Sequence, residues 1–440
     1  MDEEESSDGI SFSQRPRTCF SKPDPHWGWV VVYSSFVANF IFAGFANSCG
    51  IYYIEWLDHF DGNSRSEISW IGSLLLGMTC MTSPVGAILS ERYGDRPIVM
   101  VGSALAALSL MASAYVTNVY LLMVTYGVIT GFGFSMICMI MATVPMYFFD
   151  EKHVGLAIGL ALSGNGCGSF VMPLIIEMLI EAYGWRGSLL ICSGIVLNCC
   201  VCGALLRKPE RGIVCKDNAK PKKPLVDVTV LKSVSVVLFL LSQLIFSFGL
   251  STVYVHAAAL VEKMTGVTRT KSAGIISTVG VMNFVGRITH GAIAGFKSVN
   301  IFTQYGVCCL INAASLFLLP NIPFYPVSVV ITAAFGFCIA PYGSLMQLIV
   351  QKMAGMDNLK IVYGLFVFMS GVGWMAGAPI AGLLYDATGD YGTSMYFGGS
   401  AMIGCVAFFL KTWIDGTCRK AGTTHAHHID ISVGDEVSNS

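Results

Sequence analysis

A series of long apolar segments runs through almost the whole chain and most constrains its fold. The segments are roughly 20 to 30 residues long and are separated by short polar breaks. A helix needs about 20 predominantly apolar residues to cross the hydrocarbon core of a bilayer. Only 12% of the residues are charged, which is about half the share in soluble domains. The chain is therefore predicted to be an all-α membrane protein that crosses the bilayer many times.

Twelve segments meet this description, and they form two groups of six. They cover residues 27–56, 67–90, 97–116, 119–148, 154–182, 187–206, 232–261, 272–294, 298–319, 325–351, 361–387 and 391–414. The predicted organisation is an N-terminal tail at 1–26, a six-helix bundle at 27–206, a linker loop at 207–231, a second six-helix bundle at 232–414 and a C-terminal tail at 415–440.

The basic residues predict which side of the membrane each loop faces, because cytoplasmic loops carry an excess of Lys and Arg. With both chain ends in the cytoplasm, the cytoplasmic loops and tails hold 19 of the 26 basic residues, counting Lys411 at the end of the last segment. The opposite loops hold 5, and Lys232 and Arg287 lie within segments. Both termini and the linker are therefore expected in the cytoplasm. The start of the chain lacks the pattern of a cleaved signal peptide, so the first segment should itself direct insertion.

The two groups of segments resemble each other weakly. Pro145 and Pro341 lie in the fourth and tenth segments, and Pro173 and Pro379 lie in the fifth and eleventh. Duplicated halves with a binding site between them are typical of secondary transporters. Glycines four residues apart, such as the pair Gly155 and Gly159 and the pair Gly291 and Gly295, allow helices to approach closely. They are expected either to pack helices or to form a surface that slides during transport.

Enzyme and cofactor signatures do not occur in the sequence. The chain has no HExxH, GxSxG or P-loop pattern, so we expect neither an enzyme, nor a metal site, nor a cofactor. Of the fifteen cysteines, all except Cys19, Cys215 and Cys418 lie in apolar segments. They are interpreted as small packing residues, with palmitoylation near Cys199 as the alternative.

One full charge, Arg287, lies deep within the eighth segment, "VMNFVGRITHGAIAG". A charge at bilayer depth costs at least about 2.5–3.5 kcal/mol unless it faces protein or water. A guanidinium matches a carboxylate with two parallel hydrogen bonds. Arg287 is therefore predicted to anchor the carboxylate of a solute. The alternative is a structural ion pair, with Glu177 as the main partner.

Other polar residues in the segments are weaker candidates. Asn283 lies one helical turn before Arg287, on the same face of the helix. His256 and His290 are the other two, since a histidine could relay a proton near neutral pH, although a histidine packed in the core is the commoner case.

Two stretches resemble the signatures of the monocarboxylate transporter family (solute carrier family 16), within the major facilitator superfamily. The first, "PDPHWGWVVV", is similar to the signature at the start of the family's first span, although Pro25 and His26 depart from it. The second, "YFFDEKHVGLAIGLALSGNGCG", is similar to the signature at the start of the fifth span. The resemblance covers roughly residues 23 to 415 and implies the major facilitator fold of two six-helix halves.

The resemblance also implies roles for individual residues. Proton-coupled members of the family use a Lys in the first span and an Asp one turn before the Arg in the eighth. Those positions fall on Asn47 and Asn283 here, so neither can carry a proton, while Arg287 is present. The stretch "SPVGAILSERYGDRPIVM" loosely resembles the superfamily's motif between the second and third spans. It implies a conformational latch that includes Arg92 and Arg96.

The function expected from these observations is secondary transport of small monocarboxylates or related carboxylate-bearing solutes across the plasma membrane, with or without a coupled proton. Arg287, Asn283, Asn47 and His256 are the predicted polar residues of the site, and Tyr33, Phe45 and Tyr254 its predicted apolar wall. One alternative is an uncoupled carrier of a zwitterion such as creatine or an aromatic amino acid. The other is a solute sensor that does not transport. The family implies a single-span glycoprotein chaperone as a partner.

Overall fold

The computed structural model describes residues 25–60, 65–150, 152–207, 233–267, 269–296, 298–356 and 358–437, with side chains described as far as Ile414. Nearly all of the expected N-terminal tail and linker loop lies outside these residues, and so does Lys232. Every regular element within the described ranges is helical. The fold is therefore all-α, as the apolar segments predict.

The N-terminal half comprises eight α-helices and two short helical turns. The helices are α1 (Pro25–Asn47), α2 (Cys49–His59), α3 (Arg65–Met81), α4 (Ser83–Tyr93), α5 (Asp95–Ser113), α6 (Val119–Leu122), α7 (Thr130–Thr143) and α8 (Val154–Ala204). A π-helical stretch, Met123–Ile129, joins α6 to α7, and a 3₁₀ turn, Val144–Tyr147, follows α7.

The C-terminal half comprises the remaining eight helices. They are α9 (Val234–Thr265), α10 (Arg269–Ile293), α11 (Ile301–Leu318), α12 (Tyr325–Ile339), α13 (Pro341–Ser344), α14 (Met346–Ala354), α15 (Leu359–Thr388) and α16 (Tyr391–Val437). A 3₁₀ turn, Leu319–Asn321, follows α11. Helix α16 continues through residues expected to form the C-terminal tail.

Nine helical stretches in the described part are long and apolar enough to cross a membrane, and the bent pair α3 and α4 makes ten. Helix α8 has 51 residues and bends at Gly184, whose φ of +68° is left-handed, so α8 supplies two crossings. Helix α10 is not among these stretches, and it carries the polar residues Asn283, Arg287 and His290 within its predicted crossing. It packs between α8 and α12, so protein rather than lipid surrounds much of its polar surface. With α10 included, the helices correspond to the twelve predicted crossings.

Helix breaks occur at both members of one predicted proline pair. Pro145 lies in the 3₁₀ turn that follows α7, and Pro341 begins the short helix α13 after α12. Proline lacks the N–H group that would continue the helix and clashes with the preceding turn. The corresponding crossings of the two halves are therefore interrupted in the same way.

The two halves meet along two contacts. Helix α8 packs on α10, and α15 packs on α3 and α4. Within the N-terminal half, α8 packs on α1 and α5, and within the C-terminal half α9 packs on α15 and α16. The halves are thus joined by α8, α10, α15 and the α3–α4 pair, and these helices position the site.

Candidate functional site

The Arg287 side chain lies at the contact between the two halves. Its Nε donates a hydrogen bond to Oδ1 of Asn283 at 2.8 Å, as the one-turn spacing of the two residues predicts. Its Nη1 donates to the carbonyl oxygen of Leu162, in α8 of the opposite half, at 3.2 Å. These two bonds use two of the five N–H groups of the guanidinium.

Glycines allow α8 and α10 to approach closely beside Arg287. A methyl group on Gly159 would lie 2.5 Å from the carbonyl oxygen of Arg287, and one on Gly166 would lie 3.0 Å from Cβ of Phe284. Gly155 and Gly291 face each other in the same way. The predicted close approach at these glycine pairs is present, and it brings the guanidinium within reach of the Leu162 carbonyl group.

A third element contacts the guanidinium. Gly343 belongs to α13, the short helix that begins at the Pro341 break. A methyl group there would lie 2.6 Å from both Cζ and Nη1 of Arg287. The guanidinium therefore packs directly on the bare backbone of α13.

Three tyrosine side chains, Tyr254, Tyr342 and Tyr363, on three different helices, interact electrostatically with the guanidinium. The ring of Tyr254 lies 5.5 Å from that of Trp374, at an interplanar angle of 43°. Trp374 is 37% exposed. The predicted wall residue Tyr254 is therefore one of three tyrosines within electrostatic range of Arg287, and it packs with Trp374.

Among the described residues, no carboxylate forms an ion pair with Arg287. Glu177, the partner considered from the sequence, is exposed on α8. The guanidinium is instead held by an amide oxygen and a backbone carbonyl, which are both neutral. Its positive charge is therefore not balanced by a partner in the described part of the chain.

The other predicted polar residues, Asn47 and His256, contact different partners. Asn47 is exposed at the end of α1, where its Nδ2 donates to Oγ of Ser169 at 3.0 Å and to the Ala43 carbonyl oxygen at 2.7 Å. The ring of His256 lies 5.8 Å from that of Tyr391, at the start of α16. No described hydrogen bond joins Asn47 or His256 to Arg287.

The other two predicted wall residues occupy opposite environments. Tyr33 is 68% exposed on α1. Phe45 is fully buried, with its ring 5.4 Å from Tyr126 and 5.9 Å from Phe134. Phe45 therefore packs in the core of the N-terminal half, on the buried side of α1.

An ion pair joins the two halves at the ends of α5 and α15. Lys360 pairs with Asp95, and its Nζ also donates to Oγ of Ser90 at 3.0 Å, while that hydroxyl donates to Asp95 at 2.8 Å. The predicted latch residues are adjacent but not in this contact. Arg96 is exposed, and Arg92 is exposed with its guanidinium 5.3 Å from the ring centre of Tyr93.

The two stretches that resemble family signatures pack on each other. Gly28 lies against Phe148 and Phe149, and the Trp29 ring lies 5.0 Å from the Phe149 ring, edge to face. Trp27 donates from Nε1 to the Leu205 carbonyl oxygen at 3.1 Å. The first signature thus fixes the start of α1 against the residues that precede α8.

Sequence reasoning did not identify Gly343, Tyr342, Tyr363, Asp95 or Lys360. Asp95 lies within the quoted stretch between the second and third spans, so an acidic residue beside two arginines was the available signal. Gly343 follows Pro341 by two residues, but only tertiary packing brings it to Arg287. The tyrosines give no signal among the 17 in the chain.

The comparisons with known proteins agree with this architecture. The family model described as Major Facilitator Superfamily matches residues 28–378. Monocarboxylate transporter 12 of Homo sapiens is 30% identical over 87% of this chain and 80% of its own length. Monocarboxylate transporter 9 of Gallus gallus is 27% identical over 87% of this chain and 92% of its own length.

A solved transporter structure shares the fold. FucP, a major facilitator superfamily transporter in its outward conformation, superposes with a TM-score of 0.66 at 16% identity. The match covers 88% of this chain and 99% of FucP. The family model, the human relative and the shared fold together assign the chain, a multi-pass membrane protein, to the monocarboxylate transporter family of the Major Facilitator Superfamily.

Proposed function

We propose that the protein transports small monocarboxylates or related carboxylate-bearing solutes across the plasma membrane. The observation that carries this proposal is the Arg287 guanidinium, which is held between the halves by Asn283 and Leu162 without a carboxylate partner among the described residues. A carboxylate that binds the remaining N–H groups would balance a charge that is costly at this depth.

The proposed transport cycle is alternating access. The bundles at 27–206 and 232–414 rock about the central site, so that the solute is open to one side of the membrane at a time. The two halves contact each other at Lys360 and Asp95 and at Gly155 and Gly291. These contacts support a pathway that is closed on the side of the molecule where they lie. With both termini in the cytoplasm, this closed side is cytoplasmic, and the solute enters from outside.

The aromatic side chains suggest the shape of the solute. Tyr254, which interacts electrostatically with the anchor, packs with Trp374, and the two rings offer flat apolar surfaces to the part of the solute beyond its carboxylate. Aromatic rings pack on apolar groups and also attract cations. This arrangement suits a carboxylate with an apolar, aromatic or cationic substituent.

A second candidate function is uncoupled transport of a zwitterion such as creatine or an aromatic amino acid. The specific observation in its favour is that the side chain hydrogen-bonded to Nε of Arg287 is the amide of Asn283, which cannot take up a proton. The Tyr254–Trp374 pair is consistent with a cationic or aromatic solute group. If transport is proton-coupled, His256 is the titratable residue to examine.

Uptake by oocytes that express the full chain tests both candidates. Labelled lactate, creatine and phenylalanine are offered at about pH 6 and about pH 7.5, where a coupled proton carrier would respond. Uptake of one or more of these solutes above uninjected cells is expected, and Arg287→Ala should abolish it. Faster uptake at the lower pH would support proton coupling, and uptake indifferent to pH would support the second candidate.

Uptake that Arg287→Ala leaves unchanged would contradict the proposed anchor. Co-expression of a single-span glycoprotein would test whether surface delivery needs a chaperone.

A further inference from the structure

The contact between Gly343 and Arg287 differs from the other glycine contacts of the site. At Gly159 a methyl group would meet the backbone oxygen of Arg287, so the glycine serves helix packing. At Gly343 the three nearest atoms are all in the guanidinium, namely Cζ and Nη1 at 2.6 Å and Nη2 at 2.9 Å. Atoms cannot approach a real Cβ this closely, so an alanine at this position would displace the guanidinium.

Backbone conformation does not explain the glycine. The glycines with left-handed φ in the described part of the chain are Gly94, Gly184, Gly266, Gly355 and Gly389. Gly343 is not one of them, because it lies within the right-handed turn of α13. An alanine therefore fits the backbone there, and the space that it would occupy is the space of the guanidinium.

The guanidinium is thus confined on three sides. Asn283 holds Nε, the Leu162 carbonyl group holds Nη1, and Gly343 supports the guanidinium from α13. The guanidinium is the end of a flexible side chain and can shift to clear a methyl group, but the shift changes its position relative to Asn283 and the Leu162 carbonyl group. A binding site must hold its groups within a fraction of an ångström of the productive geometry. A small displacement of the guanidinium is therefore expected to reduce affinity.

We propose that Gly343 is a positioning residue for the anion anchor: the absence of its side chain sets where the Arg287 guanidinium lies and so determines which carboxylates the site accepts. This inference rests on the proposed function. It predicts that a single methyl group on α13, on a residue that need not touch the solute, alters affinity and selectivity.

The transport test compares Gly343→Ala with Gly280→Ala, a matched control in α10, where a new methyl group meets no atom within 4 Å. Gly343→Ala should raise KM for the transported carboxylate about tenfold or more and lower kcat much less, because the displaced guanidinium binds the carboxylate less well. A tenfold change corresponds to about 1.4 kcal/mol of binding free energy. Gly280→Ala should leave both unchanged. Equal KM values for the two variants would overturn the proposal.

A second measurement does not depend on transport. In purified full-length protein, Gly343→Ala should lower the melting temperature by about 2–4 °C, because the buried guanidinium loses its position. The same substitution combined with Arg287→Gln should cause no further loss beyond Arg287→Gln alone, since the shorter side chain leaves room for the methyl group. Such coupling between two positions shows that they act through one contact.

The two measurements separate the two claims. If Gly343→Ala lowers the melting temperature equally in the parent protein and in the Arg287→Gln variant, the positioning role of Gly343 is overturned. Uptake that survives in Arg287→Gln would instead overturn the anchor role that the proposed function gives to Arg287, whatever the melting temperatures show.

Discussion

Arg287, in α10 of the C-terminal half, donates a hydrogen bond from Nη1 to the carbonyl oxygen of Leu162, in α8 of the N-terminal half, at 3.2 Å. A side chain of one half is thus bonded to the backbone of the other, at the level where glycines bring the two helices together. A carboxylate that binds the remaining N–H groups would contact the same guanidinium that makes this bond. Solute binding and the contact between the halves are therefore linked through one residue.

Replacement of Asn283 by Asp tests whether the anchor depends on an uncharged side chain bonded to Arg287. Asn283→Asp places a carboxylate where Oδ1 now accepts from Nε of Arg287 at 2.8 Å, and the resulting ion pair competes with the solute. Because the Arg287 cation favours the ionised form of an Asp one turn away, the ion pair should persist at both about pH 6 and about pH 7.5 and raise KM about tenfold at each. The neutral control is Asn283→Ser, whose KM should change much less. Equal KM values for Asn283→Asp and Asn283→Ser would contradict the account.

The glycine contact between α8 and α10 should be sensitive to a single methyl group. Gly159→Ala places its Cβ 2.5 Å from the Arg287 carbonyl oxygen, so the two helices must separate. We expect transport to fall more than about tenfold and stability to fall by about 1–3 kcal/mol, as in other overpacked contacts. Gly194→Ala in the same helix meets no atom within 4 Å, and alanine is the better helix former. Its melting temperature should be unchanged or slightly raised. Similar losses in both variants would argue against the contact.

The ion pair of Lys360 with Asp95 should hold the halves together at their closed end. Lys360→Met breaks it and leaves the half-buried Asp95 without its cation. The contact of Cys80 with Gly371, on α3 and α15, should then open more often. Maleimide labelling of Cys80, followed by mass spectrometry of its peptide, should be several-fold faster. Lys411→Met, which removes an exposed charge from α16, is the control. Labelling that is equally fast in both variants would show that the ion pair does not control the closed state, and Arg96→Met would then be the next variant to test.

Substitutions at Phe45 and Tyr33 should differ in their effect on stability, because one residue is in the core and the other is exposed. Phe45 is fully buried among Tyr126 and Phe134, so Phe45→Ala should cost about 3–5 kcal/mol of stability. Tyr33 is 68% exposed, and Tyr33→Ala should change the melting temperature little. Thermal unfolding of the purified variants measures both. A small effect of Phe45→Ala would mean that its ring is not held in the core.

The fold can be predicted from the sequence because the bilayer imposes one requirement, apolarity, that can be checked residue by residue. Every crossing needs a long apolar run, so the twelve segments predict the helices of both halves. The segment at 272–294, in α10, is recognisable as a crossing although Asn283 and Arg287 reduce its apolar character. The break after α12 follows from Pro341, whose ring excludes a continuous helix.

The site is only partly readable in this way. The contact between Arg287 and Asn283 follows from helical spacing alone. The contacts of Arg287 with Leu162 and Gly343 depend on how three helices pack, and no local pattern specifies that. The latch illustrates the same limit. The resemblance to a superfamily motif implied Arg92 and Arg96, whereas the cation that reaches Asp95 is Lys360 from the opposite half.

The most direct test of the central claim compares a carboxylate ligand with its carboxamide. For the solute that the uptake experiment identifies, binding of the acid and of its amide is measured by thermal stabilisation of the purified protein, which reports affinity without transport. If Arg287 anchors the carboxylate, the acid should bind at least about 30-fold more tightly than the amide, equivalent to about 2 kcal/mol. In Arg287→Gln the preference should fall below about threefold. Equal binding of acid and amide to the parent protein, or an unchanged preference in Arg287→Gln, would contradict the account.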